Sequence, residues 1–323
     1  MNATSSQVEL SVVIPNYNHS IYLPAALDSV VSQSLLPLEI CVIDDASTDN
    51  SVEIIKSYVR RHPRVRLIQK NENSGVLANC NEILGQLRGT HGMFLGADDY
   101  LLPNALGHAS TLLSQHSHAG ICLWDLVDIG FDGSEKCFRY QLADRPAYFH
   151  PSLAARKLRY LPITGGGFYR LDCLRKMGGF PVDLRWHTDH FTCLVLALRH
   201  GICYLPQPLS AFRHLKESYG IRGMFGPEQT DVLRGFVSHL QSDEFADIRD
   251  GFRDCGGLAI FGDRLLKELR TFPGGRYYLT PSLASWILRR KLLSYVRHPV
   301  PRPVKTWFRR TFSRERRQFL CTR

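Results

Sequence analysis

The chain has 323 residues, 44% of them hydrophobic, which is enough for a substantial core and too apolar for a disordered polymer. No run of 18 or more apolar residues occurs, which argues against a spanning helix, and residues 1–7 carry neither a basic start nor an apolar stretch, so no secretory signal is expected. The net charge of +10 is concentrated at one end: residues 286–323 hold twelve Lys or Arg against the single acid Glu315, so the basicity says nothing about the main domain's ligand.

Residues 10–14 form a compact apolar strand ended by Pro15-Asn16-Tyr17-Asn18, and Ala25, Ala26, Ser29 and Val30 at helical spacing predict a helix over 22–34. The next strand, 38–43, stops at the paired acids Asp44-Asp45. The run Ala-Ser-Thr-Asp-Asn-Ser after it is rich in capping residues and opens a helix carrying Val52, Ile55 and Val59. A third strand is expected over 65–68, a third helix over 75–87 and a fourth strand over 92–95. The fourth ends at Asp98-Asp99. Two adjacent carboxylates there lose hydration and repel, a cost offset by a cation or strong donors; equally, the pair is a turn before a helix opened by Pro103.

Strands alternating with helices at this spacing predict an α/β fold, a mostly parallel sheet with helices on both faces. Such a sheet binds ligands beyond the carboxyl ends of its strands, which puts Asn16-Tyr17, Asp44-Asp45 and Asp98-Asp99 on one edge. No Gly-x-Gly-x-x-Gly follows the first strand and no Gly-x-x-x-x-Gly-Lys-Ser/Thr occurs, so phosphates must be held another way.

Residues 119–129 read as a further strand, and 131–151 as a hairpin and a mobile loop. In Thr164-Gly165-Gly166-Gly167-Phe168-Tyr169-Arg170 the glycines let backbone pass close to a ligand, and they equally suit a flexible turn. A helix over 171–177 follows. Phe191, Leu194, Val195 and Leu198 mark an amphipathic helix capped near Thr188, with Asp189 in its first turn. The helix dipole there keeps a carboxylate ionised, the state of a general base, although first-turn acids are also ordinary capping chemistry. His187 and His190 flank Asp189, but no pair of histidines with a third ligand suggests zinc. Residues 209–212 read as an edge strand leading to Arg213-His214. Helical patches over 230–240 and 258–269 suggest no function. In 286–323 aliphatic and aromatic residues are mixed with basic ones, a composition suited to an anionic membrane surface and equally to RNA or to a disordered solvated tail. The nine cysteines form no Cys-x-x-Cys pair, and several, such as Cys41, Cys122 and Cys193, sit in apolar runs, as expected of reduced packing residues in a cytosolic protein.

Ser-Val-Val-Ile-Pro-Asn-Tyr-Asn, Val-Ile-Asp-Asp-Ala-Ser-Thr-Asp-Asn-Ser, Asn-Ser-Gly-Val and Phe-Leu-Gly-Ala-Asp-Asp-Tyr-Leu-Leu-Pro, in this order and spacing, resemble the nucleotide-binding half of family 2 glycosyltransferases of the GT-A fold. The resemblance implies an inverting transferase acting on a nucleotide sugar, for which a UDP-sugar is expected, with a glycan or lipid-linked glycan as acceptor. It assigns Tyr17 and Asp45 to the nucleotide base, with Asp44 close by and Pro15 also among the nucleotide-binding residues, and Asp98 and Asp99 to the ribose and a divalent metal, Mn²⁺ or Mg²⁺. The glycines 165–167 correspond to a strand under the donor sugar. Asp189 corresponds to the catalytic base, with Thr188 where the family usually has Glu. His214 corresponds to a residue near the metal or diphosphate, with Arg213 beside the leaving group. Two positions depart from the family pattern: Gly96 stands where many members have Asp, and Cys80 where many have Arg. These departures leave open a catalytically inactive adaptor on the same fold.

The expected organisation is a glycosyltransferase domain over 1–219, split into a nucleotide half, 1–103, and an acceptor half, 104–219. A helical extension over 220–285 and a basic amphipathic tail over 286–323 complete it. The expected location is cytoplasmic, peripheral to a membrane through the tail, and nucleic acid is not an expected partner.

Overall fold

The computed structural model describes residues 8–163, 166–215, 219–262 and 264–296. The tail beyond residue 296 therefore lies outside the described residues, as do Thr164 and Gly165. The first half alternates as expected: β1 (Leu10–Asn16), α1 (Leu23–Val31), β2 (Glu39–Asp44), α2 (Ser51–Arg61), β3 (Val65–Gln69), α3 (Val76–Leu84) and β4 (His91–Phe94). A two-residue strand β5 (Tyr100–Leu101), too short to be read from periodicity, precedes α4 (Ala105–Gln115) and β6 (Ile121–Ile129). Then come β7 (Glu135–Phe138), β8 (Ala147–Phe149), α5 (Pro151–Lys157), β9 (Gly167–Arg170), α6 (Leu171–Lys176), α7 (Thr188–His200) and β10 (Ile202–Arg213).

The strands form one sheet in the order β3-β2-β1-β4-β9-β6-β10-β5, with β7 on β6 and β8 on β10. β1 pairs in parallel with β2 and β4, β2 with β3, and β6 with β10. β9 runs against both its neighbours, β4 and β6. Residues alternate between the faces, as strand geometry requires. Val12, Ile14, Ile40 and Val42 pack with α1, α2 and α4, whereas Val13, Cys41 and Ile43 face a second core shared with α3, α6 and α7. Both faces are covered, which explains why β1 and β2 read as continuous apolar runs.

That second core continues into α9 (Gln229–Gln241), α10 (Arg249–Asp254), α11 (Arg264–Thr271) and α12 (Pro281–Val296), through Val232, Phe236, Phe252, Leu265 and Ile287. The helical extension shares the core of the residues before it, and α8 (Tyr219–Phe225) leads into it.

Four local expectations are corrected. α7 is not amphipathic: Phe191 through Ala197 are all buried, because the extension covers the face that would otherwise meet solvent. Thr188 does not cap it: Thr188 is already helical, and its Oγ1 is buried without a hydrogen-bond partner. The stretch after β6 forms the expected hairpin, β7 pairing antiparallel with β6, but the segment beyond it is fastened to the sheet, since Asp125 Oδ1 accepts the Tyr140 N–H at 3.0 Å and the Tyr204 hydroxyl, and β8 pairs with β10. β10 is not an edge strand, since β6 flanks it on one side and β8 and β5 pair with it at its two ends. All eight described cysteines are free thiols and seven are buried, as packing residues should be. Among the described residues no helix is long and apolar enough to cross a membrane.

Candidate active site

The parallel register of β1 and β2 sets Asn16 opposite Asp44, so the two loops leave the sheet side by side. Asn16 donates through its amide to Asp44 Oδ1 at 2.8 Å, and Asp44 Oδ2 accepts the Ser47 N–H at 3.0 Å. Asp44 is fully buried, so in this geometry it ties the loops together. Asp45 is also buried and accepts the N–H groups of Ser74 and Gly75, each at 2.9 Å, which fixes the turn into α3. Asn18, at φ 57°, turns its side-chain oxygen onto the Thr48 N–H at 2.7 Å. Asp49 receives the Ser20 and Ser51 N–H groups. Burial works against its charge, but these hydrogen bonds bring its carboxyl down to about 2. Over this cross-linked floor Pro15 is half-buried and the Tyr17 ring is exposed. The contributions of Ser47 and Asp49 were hidden in a run that sequence reasoning took only for helix capping, whereas Asn16 belongs to the loop already placed on the sheet edge.

At the end of β4, Asp99 is buried while Asp98 is half-exposed. Asp99 Oδ1 accepts the Arg213 N–H at 2.8 Å, and Arg213 Nε donates to the Asp98 carbonyl at 3.2 Å. Burial first, and the Asp98 charge second, hold the Asp99 carboxyl well above its ordinary range, against the Arg213 N–H. The Arg213 guanidinium also lies 5.0 Å from the Tyr22 ring centroid. Both carboxylates turn over Gly96: a Cβ there would lie 2.8 Å from Asp98 Oδ1 and 2.9 Å from Asp99 Oδ2. Glycine is therefore what lets the two oxygens share that space. Two carboxylate oxygens converging over a glycine, one of them on a buried group whose charged form burial disfavours, suit a divalent cation that completes its shell with phosphate and water. Among the described residues no group of three His, Cys, Asp or Glu side chains could hold a metal alone. His214 is drawn elsewhere: its Nε2 meets Asp128 Oδ1, and that contact raises its pKa against the opposing effect of burial.

The glycine segment enters the sheet between β4 and β6. Gly166 has φ +101°, open to glycine and strained for other residues, and a Cβ on Gly167 would collide with the Cys122 carbonyl. Gly167 is thus required by strand packing, whatever else it touches. Gly165 lies outside the described residues.

α7 ends where β6 begins, its following residue Gly201 accepting the Gly120 N–H at 3.1 Å. Its other end therefore points to the carboxyl edge of the sheet, which carries Thr188 and Asp189 there. Asp189 is half-buried, near Cys80, Tyr169 and Cys193. Among the described residues none gives its carboxylate a hydrogen bond or an ion pair. Burial pushes its pKa up to about 6, which outweighs the pull of the helix N-terminus expected from sequence. Cys80 beside it is a buried neutral thiol and brings no counter-charge. His187 and His190 both turn inward. Burial brings them to about 3 and about 4, so they are neutral near pH 7. His190 Nδ1 accepts the Ile163 N–H at 3.1 Å and Nε2 donates to the Gly257 carbonyl at 2.7 Å, which clamps the glycine segment and the extension to α7.

Residues 11–168 match the model of glycosyl transferase family 2. Escherichia coli chondroitin synthase is 37% identical over 106 residues, 32% of this chain and 15% of that protein. An uncharacterized protein of Mycobacterium tuberculosis is 33% identical over 287 residues, 85% of this chain and 80% of that one. Against the first relatives, the synthases, the chain thus aligns with only a small part of their length. Among solved structures, S. aureus TarS in complex with UDP-GlcNAc superposes with a TM-score of 0.62 at 19% identity, covering 82% of each chain. The Pyrobaculum calidifontis mannosyltransferase in complex with GDP-Man and Mn²⁺ gives 0.55 at 17% identity, over 94% of this chain and 83% of that one. The motif match, the near full-length relative and the sheet with its carboxyl-edge acids agree: this chain belongs to glycosyltransferase family 2 and carries the GT-A fold.

Proposed function

We propose that the protein is an inverting glycosyltransferase that moves a sugar from a nucleoside diphosphate sugar, a UDP-sugar, to a hydroxyl of a glycan or lipid-linked glycan. The observation that carries this reading is Asp189: a half-buried, unpaired carboxylate with a pKa of about 6, on the sheet edge that also holds Asp98 and Asp99. Near pH 7 it is mostly ionised yet basic enough to accept a proton from an alcohol as that oxygen attacks. The acceptor oxygen bonds to the anomeric carbon while the bond from that carbon to the diphosphate oxygen breaks. The electron pair leaves with the nucleotide, and the proton stays on Asp189 until solvent removes it. One displacement inverts the anomeric centre.

Asp98 and Asp99 would hold Mn²⁺ or Mg²⁺, which when bound neutralises charge gathering on the departing diphosphate. Arg213 braces that pair from β10 through its backbone N–H. Tyr17, exposed above the loops that Asp44 and Asp45 cross-link, would stack on the base. The bound nucleotide sugars and Mn²⁺ of the structural neighbours support this assignment.

The test is thermal unfolding with a panel of nucleotide sugars, with and without Mn²⁺. One UDP-sugar at 100 times its dissociation constant stabilises the protein by about 2.7 kcal/mol, and only with the metal. No shift from any of them contradicts the reading. Binding without UDP release, with acceptors present, indicates the inactive adaptor instead.

α12 supports a second contact. Leu288 and Leu292, one turn apart, are 53% and 55% exposed and stand between the exposed Arg289 and Lys291. Residues 286–323 are proposed to rest on an anionic membrane surface. Co-sedimentation with phosphatidylserine vesicles should fall several-fold in Leu288→Glu/Leu292→Glu. Unchanged sedimentation counts against it.

A further inference from the structure

One cluster of side chains at the start of α7 is used by neither the nucleotide loops nor the carboxylate pair. The 3₁₀ turn Val182–His187 runs directly into α7, and within it Arg185 sits at φ 47°, ψ −124°, a backbone that residues with side chains adopt only under constraint. The constraint is visible in its neighbour. Trp186 packs on Gly223, where any Cβ would collide with the indole, and its N–H donates to Gln229 Oε1 at 2.6 Å. The buried Gln229 in turn donates to the neutral His187 at 2.7 Å. Trp186 is thus held rigidly, yet it stays partly exposed and meets Tyr219 edge-on with ring centroids 5.7 Å apart.

Tyr219 is 51% exposed. The Arg185 guanidinium lies 5.8 Å from the Trp186 ring centroid, and no acidic side chain among the described residues pairs with it. Burial lifts the Tyr219 phenol above its ordinary value and the Arg185 charge draws it back, so guanidinium, indole and phenol make one patch. Its location follows from the chain. Arg185 and Trp186 precede Asp189 by four and three residues, and Tyr219 follows Arg213, whose backbone holds Asp99, by six.

We infer that Arg185, Trp186 and Tyr219 form the acceptor subsite, and that the acceptor saccharide it selects carries an anionic group, a carboxylate or a phosphate. This rests on the transferase reading above. The C–H face of a sugar ring is apolar and weakly positive, and it packs on the negative face of an aromatic ring. An indole already fixed by Gln229 loses little freedom on binding. A planar guanidinium with no acid of its own forks onto carboxylate or phosphate oxygens and gives the subsite its charge preference.

Arg185→Gly separates recognition from folding. Glycine adopts this backbone without strain, so the melting temperature holds or rises while the guanidinium is lost. Three tetrasaccharides are titrated calorimetrically into the protein loaded with UDP and Mn²⁺: one bearing uronate carboxylates, its carboxyl-reduced neutral counterpart, and that counterpart phosphorylated. The wild type binds at least one charged form about tenfold more tightly than the neutral one. Which form is preferred distinguishes carboxylate from phosphate. Arg185→Gly erases the preference, and Tyr219→Ala weakens all three. Equal binding of the three by the wild type, binding of none, or a preference that survives Arg185→Gly overturns the inference. Wild-type hydrolysis of the donor in water keeps the two levels apart. Hydrolysis without a charge preference removes only the subsite, whereas a charge preference without any transfer or hydrolysis removes the transferase reading.

Discussion

Asp189→Asn lowers turnover by roughly 10²–10⁴-fold, leaves UDP binding within about twofold of wild type, and makes the folded protein more stable at pH 7.5. The first two effects follow from the proposed role of Asp189 as a base that touches the acceptor proton and not the nucleotide. The third follows from its pKa. In the fold burial raises Asp189 to about 6 from an ordinary 3.8, so the native state disfavours the carboxylate. A carboxyl raised in the native state favours folding while protonated, and that advantage fades as pH rises from about 4 to about 6. Above pH 6 the wild type carries a penalty of about 2–3 kcal/mol, which the neutral amide removes. Urea denaturation at pH 7.5 and pH 4 checks the sign: the variant's gain should be present at the higher pH and small at the lower. Wild-type turnover itself should rise through a pKa near 6 and level off above pH 7. A variant that loses both activity and stability would mark Asp189 as structural.

Asp98→Asn abolishes the part of UDP affinity that depends on Mn²⁺, with little change in folding stability. Asp98 is half-exposed, and among the described residues its carboxylate has no hydrogen-bond donor. Its removal breaks nothing in the fold and takes away half of the oxygen pair that converges over Gly96. Asp99 behaves differently because it is buried and accepts the Arg213 N–H, so Asp99→Ala also loosens the junction of β4 with β10. Calorimetry with UDP, with and without Mn²⁺, separates the two. The expected loss for Asp98→Asn is about 10–100-fold in the presence of metal and none in its absence. Equal loss under both conditions would assign Asp98 to the ribose alone.

The first hundred or so residues were legible in the sequence because their logic is local. Apolar runs ended by Asn16-Tyr17, Asp44-Asp45 and Asp98-Asp99 belong to neighbouring parallel strands, so a strand-end argument places them on one edge. The part that follows was less legible because its logic is tertiary. No periodicity marks β9 as an antiparallel insertion between β4 and β6, and α7 looked amphipathic until the helical extension was seen to bury its remaining face. The same cover explains His187 and His190, which flank the base in sequence yet point into the core. Gly96 shows the reverse case. Its departure from the family pattern reads as a missing ligand, whereas in space it is the room that Asp98 and Asp99 share.

The most direct test of the account is the rate of UDP release from a UDP-sugar that stabilises the protein with Mn²⁺, measured with acceptor at pH 7.5 for the wild type and Asp189→Asn side by side. The account predicts rapid release from the wild type and release slower by roughly 10²-fold or more from a variant that still binds UDP. Equal rates from the two proteins would contradict it.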